Sequence, residues 1–126
     1  PHEGEFLRVG GDLSQGRTAA AEDFARRSGA VVVLKGPGTV VAGPDGRCRV
    51  NTTGNCGMAK GGSGDVLSGV VLALLGLGMD AFDACCCAVW LHGRAGDLAA
   101  QEKGQWGMTP TDLLERLPQA LREVTE

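Results

Sequence analysis

Nine consecutive residues, Gly57-Met58-Ala59-Lys60-Gly61-Gly62-Ser63-Gly64-Asp65, hold four glycines and run directly into the apolar segment Val66-Leu67-Ser68-Gly69-Val70-Val71-Leu72-Ala73-Leu74-Leu75. Glycines let a backbone close on an anion without side-chain interference. A helix start adds unpaired N–H groups and the positive end of the macrodipole. Together these suit phosphate. A carboxylate at Asp65 would then sit beside any group that attacks or leaves phosphorus, and the stretch reads as phosphoryl transfer. The competing reading makes Asp65 a plain first-turn acid that satisfies helix amides. That reading leaves the four glycines without a reason.

Two further positions could do chemistry. Ala30-Val31-Val32-Val33-Leu34 is a continuous aliphatic run, the pattern of a strand buried on both faces, and it opens into Lys35-Gly36-Pro37-Gly38-Thr39. With the helix before it, this predicts half of a parallel α/β unit, in which ligands bind outside the carboxyl ends of strands. Lys35 is placed to reach such a ligand, or else snorkels from a hairpin turn. The polar stretch Pro1-His2-Glu3-Gly4-Glu5 before Phe6 predicts a loop feeding a helix. It either presents His2 to a ligand or is an exposed segment with a solvated His. His92 and Asp97, within a helical pattern, read as core or helix-pairing groups outside the site.

The scaffold follows from caps and periodicity. Ser14 is the expected N-cap of a helix through about Arg27, ended by Gly29, with scaffold as its only role. Pro44-Asp45-Gly46 predicts a β-hairpin at the sheet margin. From Asp65 a helix runs to about Gly76 or Gly78, apolar nearly all round and so expected to be buried. Asp80 starts the next helix, to about Lys103 before Gly104, with Ala84, Ala88, Ala95 and Ala99 permitting close packing. Thr109-Pro110 opens the last helix, whose apolar face is Leu113, Leu114, Leu117, Leu121 and Val124. Pro118 should kink or split it.

With 126 residues the chain has the length of one domain, and its start at Pro1 suggests a piece of a larger protein. Net charge is −3 with no basic block, and three Phe and two Trp offer no stacking platform, which argues against a nucleic-acid partner. The longest apolar run, residues 66–79, is glycine-broken and too short to span a bilayer. Five cysteines without Cys-x-x-Cys spacing read as reduced, buried thiols of a cytoplasmic protein, and no metal site is expected.

Four stretches taken in order resemble one family: Pro1-His2-Glu3-Gly4-Glu5, Val33-Leu34-Lys35-Gly36-Pro37-Gly38-Thr39, residues 51–65, and Leu91-His92-Gly93-Arg94-Ala95-Gly96-Asp97. The sequence is similar to the ADP/ATP-dependent NAD(P)H-hydrate dehydratases of the ribokinase-like superfamily. The likeness covers nearly the whole chain but only the C-terminal half of the family's domain. It implies that residues 1–126 are the C-terminal portion of a single nucleotide-binding domain with a three-layer α/β/α fold, including a β-hairpin and three C-terminal helices.

The resemblance also implies a reaction. A nucleotide, ADP or ATP with Mg2+, phosphorylates the ring hydroxyl of hydrated NADH or NADPH (NADHX or NADPHX), and loss of phosphate restores the cofactor. By similarity Lys35, Gly36, Pro37, Gly38, Thr39, Gly62, Ser63 and Gly64 would contact the nucleotide. His2 and Asp65 would face the damaged cofactor, with Asp65 as general base. A homo-oligomer is the expected assembly. The family commonly has Pro where Cys56 stands, and often Pro where Glu3 stands. Two alternatives stay open: a small-molecule kinase acting on a sugar or a hydroxyethylthiazole-like precursor, and a nucleotide-binding fragment without turnover. The Lys-Gly-x-Gly-Thr strand end and the His-x-Gly-Glu segment favour the dehydratase.

Overall fold

The computed structural model describes residues 1–126. In chain order it contains α1 (Glu3–Arg8), α2 (Arg17–Ser28), β1 (Val32–Leu34), β2 (Val40–Ala42), β3 (Cys48–Val50), a 3-10 turn (Cys56–Met58), α3 (Ser63–Gly76), α4 (Ala81–Gly107) and α5 (Pro110–Thr125). The three strands form one antiparallel sheet in the order β1-β2-β3.

Strand alternation sorts the core into two layers, one on each sheet face. Val32, Leu34, Val40 and Ala42 pack with Phe6 of α1 and Ala20, Ala21 and Ala25 of α2. Val41 packs the other way, on Leu67 of α3 and on Phe82, Cys85, Ala88 and Val89 of α4, with Val31 and Val33 alongside. A third cluster joins α4 to α5 through Leu91, Ala95, Leu98, Leu113 and Ala120. The alanines at 84, 88, 95 and 99 are all fully or almost fully buried, as close helix packing requires.

Several expected boundaries hold. Gly29 ends α2 in the left-handed conformation, and Asp80 caps α4 by accepting the Asp83 N–H. Thr109 opens α5 with a reciprocal cap involving Asp112. Gly104, with φ of +72°, breaks the helical path of α4 at the expected end, and one more turn follows it to Gly107.

Other expectations are corrected. The chain is helical from Glu3, because His2 acts as its N-cap and Glu5 returns the bond. α2 begins at Arg17 rather than after Ser14; the Ser14 N–H is taken by the Asp12 carboxylate in a local turn. β1 pairs antiparallel with β2, whereas Lys35 at its end makes a parallel bridge with His2. α5 is one unsplit helix across Pro118. α3 starts two residues before Asp65, and its far side is open: Leu72 is 71% and Leu75 is 40% exposed. All-round apolarity says what a helix could bury, whereas the packing partners of α3 here lie on one side only. The cysteines are all free, but Cys56 and Cys87 are exposed and only Cys85 is buried, where burial raises its thiol above the ordinary value. No helix is long and apolar enough to cross a membrane.

Candidate functional site

Three segments converge at the carboxyl end of β1. The bridge between His2 and Lys35, in which the Lys35 N–H donates to the Pro1 carbonyl at 2.8 Å, sets α1's start beside the strand end. The Lys35 side chain reaches the head of α3, where its Nζ would lie 3.0 Å from a Cβ built on Gly64. Glycine at 64 therefore leaves the ammonium room against the first turn of the helix.

At that head several backbone amides are open. The Ser63 N–H donates to the Lys60 carbonyl at 3.2 Å and the Val66 N–H to the Gly62 carbonyl at 3.3 Å, whereas the amides of Gly61, Gly62, Gly64 and Asp65 have no protein acceptor. Gly62, at φ +104°, is the helix cap and carries no side chain to satisfy them. The carboxylate of Asp65 is exposed and makes no bond within the chain. Four donors, a lysine and an uncommitted acid thus share one surface.

Helix α4 holds this loop from beneath. His92, only 9% exposed, places Nε2 2.9 Å from the Ser63 carbonyl. A carbonyl can only accept, so Nε2 carries the proton. Burial, and secondarily the charge of Lys35, pushes the His92 pKa below its ordinary value and favours the neutral ring. Asp97 accepts from the Gly54 N–H at 3.0 Å and from Asn55 Nδ2 at 2.9 Å. Asn55 in turn accepts from the Gly57 N–H at 2.9 Å. Thr53 donates to the Trp90 carbonyl at 2.9 Å, and Lys60 Nζ donates to the carbonyls of Gln105, Trp106 and Met108 at the end of α4. The loop can lie this close because α4 has glycine at 93 and 96. A Cβ on Gly93 would stand 2.2 Å from Thr53 Oγ1, and one on Gly96 2.3 Å from Met58 Sδ.

The structure thus brings Lys35, Gly62, Ser63, Gly64 and Asp65 together, though Ser63 offers no free amide. His2 joins through the strand bridge, while its Nδ1 accepts the Glu5 N–H at 3.2 Å. Residues 36–39 form the adjoining turn, closed by the Thr39 hydroxyl donating to the Gly36 carbonyl at 3.0 Å. Three supporting side chains were not expected at the site: His92, Asp97 and Arg17. Arg17 reaches the carbonyls of Leu34, Pro37 and Gly38. Their signal in the sequence was limited to the Leu91-His92-Gly93-Arg94-Ala95-Gly96-Asp97 stretch; nothing local marked Arg17.

A profile of the carbohydrate-kinase type, described as NAD(P)H-hydrate dehydratase, matches residues 1–119. The chain belongs to this family. It is 48% identical over its full length to the bifunctional NAD(P)H-hydrate repair enzyme Nnr of Thermofilum pendens, of which it spans 25%. It is 40% identical, over 94% of its length, to the ADP-dependent (S)-NAD(P)H-hydrate dehydratase of Bacillus subtilis, of which it spans 44%. The crystal structure of the ADP/ATP-dependent dehydratase from Bacillus subtilis, co-crystallised with ATP and Mg2+, superposes with a TM-score of 0.92 at 38% identity, over 98% of this chain and 46% of that one. A ribokinase-like superfamily protein from Enterococcus faecalis superposes with a TM-score of 0.85 at 30% identity, over 98% of this chain and 43% of that one. The fold is accordingly ribokinase-like, and the chain spans a quarter to under half of these relatives.

Proposed function

We propose that residues 1–126 are the C-terminal portion of a single ribokinase-like domain that carries out ADP- or ATP-dependent dehydration of hydrated NADH and NADPH. The observation that carries this reading is the head of α3: open amides at Gly61, Gly62, Gly64 and Asp65, Lys35 Nζ against Gly64, and an unpaired Asp65 carboxylate. It is supported by the dehydratase names of the relatives and by the ATP and Mg2+ in the solved one.

In this reading the amides and Lys35 hold the phosphates of the donor and neutralise the charge that builds on the transferring group. Residues 36–39 border the same nucleotide. Asp65 accepts the proton of the ring hydroxyl as its oxygen attacks phosphorus, and the bond from phosphorus to the departing nucleotide oxygen breaks. The ring C–O bond of the resulting phosphate ester then breaks, inorganic phosphate departs with the bonding pair, and loss of a proton from the adjacent ring carbon restores the double bond. His2 lies on the damaged-cofactor side. Mg2+, when bound, supplies further charge neutralisation on the phosphates. No group of three His, Cys, Asp or Glu side chains gathers to hold a metal by itself, so the phosphates would supply much of its coordination.

The test is cofactor repair by the full-length protein and its Asp65→Asn variant. Loss of a general base lowers turnover by about 10²–10⁴-fold, with ADP affinity held within threefold. Unchanged turnover would remove Asp65 as base. Phosphorylation of sugars or thiazoles in place of repair would favour the kinase alternative. For the isolated 126 residues, which span under half of the Bacillus subtilis dehydratase, the alternative is nucleotide binding without turnover. A homo-oligomeric, cytoplasmic enzyme is part of the same proposal, and sedimentation of the full-length protein checks its assembly.

A further inference from the structure

Arg17 is the first residue of α2, yet its guanidinium works on a turn some 20 residues away. Nη2 donates to the Leu34 carbonyl at 3.1 Å, while Nη1 donates to the carbonyls of Pro37 and Gly38. One planar group therefore grips the backbone on both sides of Lys35 and Gly36. Gly36, at φ +150°, passes so close that a Cβ there would stand 2.9 Å from Nη2. On the far side of the fork Glu3 Oε1 lies 3.0 Å from Nε, although Nε is buried and donates no well-aligned hydrogen bond. Glu3 belongs to the segment that carries His2.

Carbonyl oxygens repel phosphate, and amides attract it. In the 35–39 turn the carbonyls of Leu34, Pro37 and Gly38 are occupied by a cation, that of Gly36 by the Thr39 hydroxyl, while the amides of Gly38 and Thr39 have no protein acceptor. A lysine could not replace this arrangement, because it has one ammonium and no rigid fork to span separate carbonyls. We infer that Arg17 is a positioning residue for the donor nucleotide. It fixes the 35–39 turn with its carbonyls held back and its amides free, and Glu3 steadies the fork. This rests on the reading of residues 35–39 as part of the nucleotide site.

The test uses Arg17→Lys, Arg17→Ala and Glu3→Gln. Backbone order parameters of Gly36 and Gly38 without nucleotide are expected to fall from about 0.85, the rigid range, to below about 0.6 in Arg17→Lys. Those of Val41 in β2 should stay rigid, which a general loosening of the fold would not allow. ADP affinity, measured by calorimetry with Mg2+, is expected to drop about tenfold in Arg17→Lys and two- to threefold in Glu3→Gln. If Arg17→Ala does not fold, the lysine and glutamine variants carry the test. Wild-type order at Gly36 and Gly38 in Arg17→Lys would overturn the inference, as would unaltered ADP affinity. If the wild-type protein binds no nucleotide, the functional reading falls, and the order parameters still decide whether Arg17 fixes the turn.

Discussion

The two loops that meet at Lys35 and Gly64 are held by opposite means. The 35–39 turn is tied at its ends by backbone, Lys35 N–H to the Pro1 carbonyl and Asn51 N–H to the Thr39 carbonyl, and between them by one side chain from outside, Arg17, whose fork engages three carbonyls. The 51–65 loop is held many times over, by Asp97, Asn55, Thr53, Lys60 and His92, and by the close approach that Gly93 and Gly96 allow. A turn held between its ends by one side chain can be loosened there without unfolding the molecule. A loop laid against a buried helix cannot be moved without disturbing the core, so the rigid half of the site is also the half that stability depends on.

The largest effect should come from filling the contact beneath the loop. Gly93→Ala places a Cβ 2.2 Å from Thr53 Oγ1 and 2.7 Å from the Thr53 carbonyl carbon. Backbone cannot swing aside as a side-chain tip can, so the expected cost is about 3 kcal/mol, despite roughly 1 kcal/mol of gained helix propensity. Urea unfolding measures it. Gly96→Ala meets Met58 Sδ, a flexible tip, and should cost less; equal losses would show that the loop is not held by backbone contact at Gly93.

Next comes Asp97→Asn, which keeps the shape but replaces an acceptor by a donor facing Gly54 N–H or Asn55 Nδ2. About 2 kcal/mol is expected, the cost of a buried or half-buried donor left unmatched. A loss under about 0.5 kcal/mol would mean that the remaining anchors hold the loop without it.

His92 gives the same comparison a pH dependence. Its pKa is lowered in the folded chain by burial, so the unfolded chain takes up a proton first as pH falls below the ordinary value of 6.5. Stability is then full above about pH 6.5 and declines below it, toward the lowered folded value. The shifted carboxylates have ordinary values of 3.8 and 4.5 and are lowered in the fold, so their contribution is lost only at more acidic pH. Thermal midpoints from pH 7 to 5 should fall in the wild type and fall less in His92→Gln. Parallel curves would contradict the placement of a neutral His92 beneath Ser63.

The smallest effect on the fold should have a clear effect on binding. Gly64→Ala puts a Cβ 3.0 Å from Lys35 Nζ, the mobile end of a long side chain. Stability should change by less than about 0.5 kcal/mol, while ADP affinity falls about tenfold as the ammonium is displaced. Loss of stability without loss of affinity would reverse the assignment.

Much of this arrangement was legible in the residues. The glycine-rich stretch, the strand end at Lys35, and the stops and caps at Gly29, Asp80, Gly104 and Thr109 are local signals, and each rests on backbone chemistry within a few positions. Arg17, His92 and Asp97 were not legible as site residues, because each acts on backbone 17 to 43 residues away. No spacing rule reports such a contact. The open side of α3 was unreadable for a related reason: apolarity at Leu72 and Leu75 says nothing about whether a partner surface lies opposite.

The most direct measurement is an ADP titration with Mg2+, followed by the backbone amide resonances of the nitrogen-15-labelled chain. The account predicts the largest shifts at Gly61, Gly62, Gly64 and Asp65, with Gly38 and Thr39 next, and little change along α5. Shifts confined to other surfaces, or saturable binding that leaves these six amides unmoved, would contradict it.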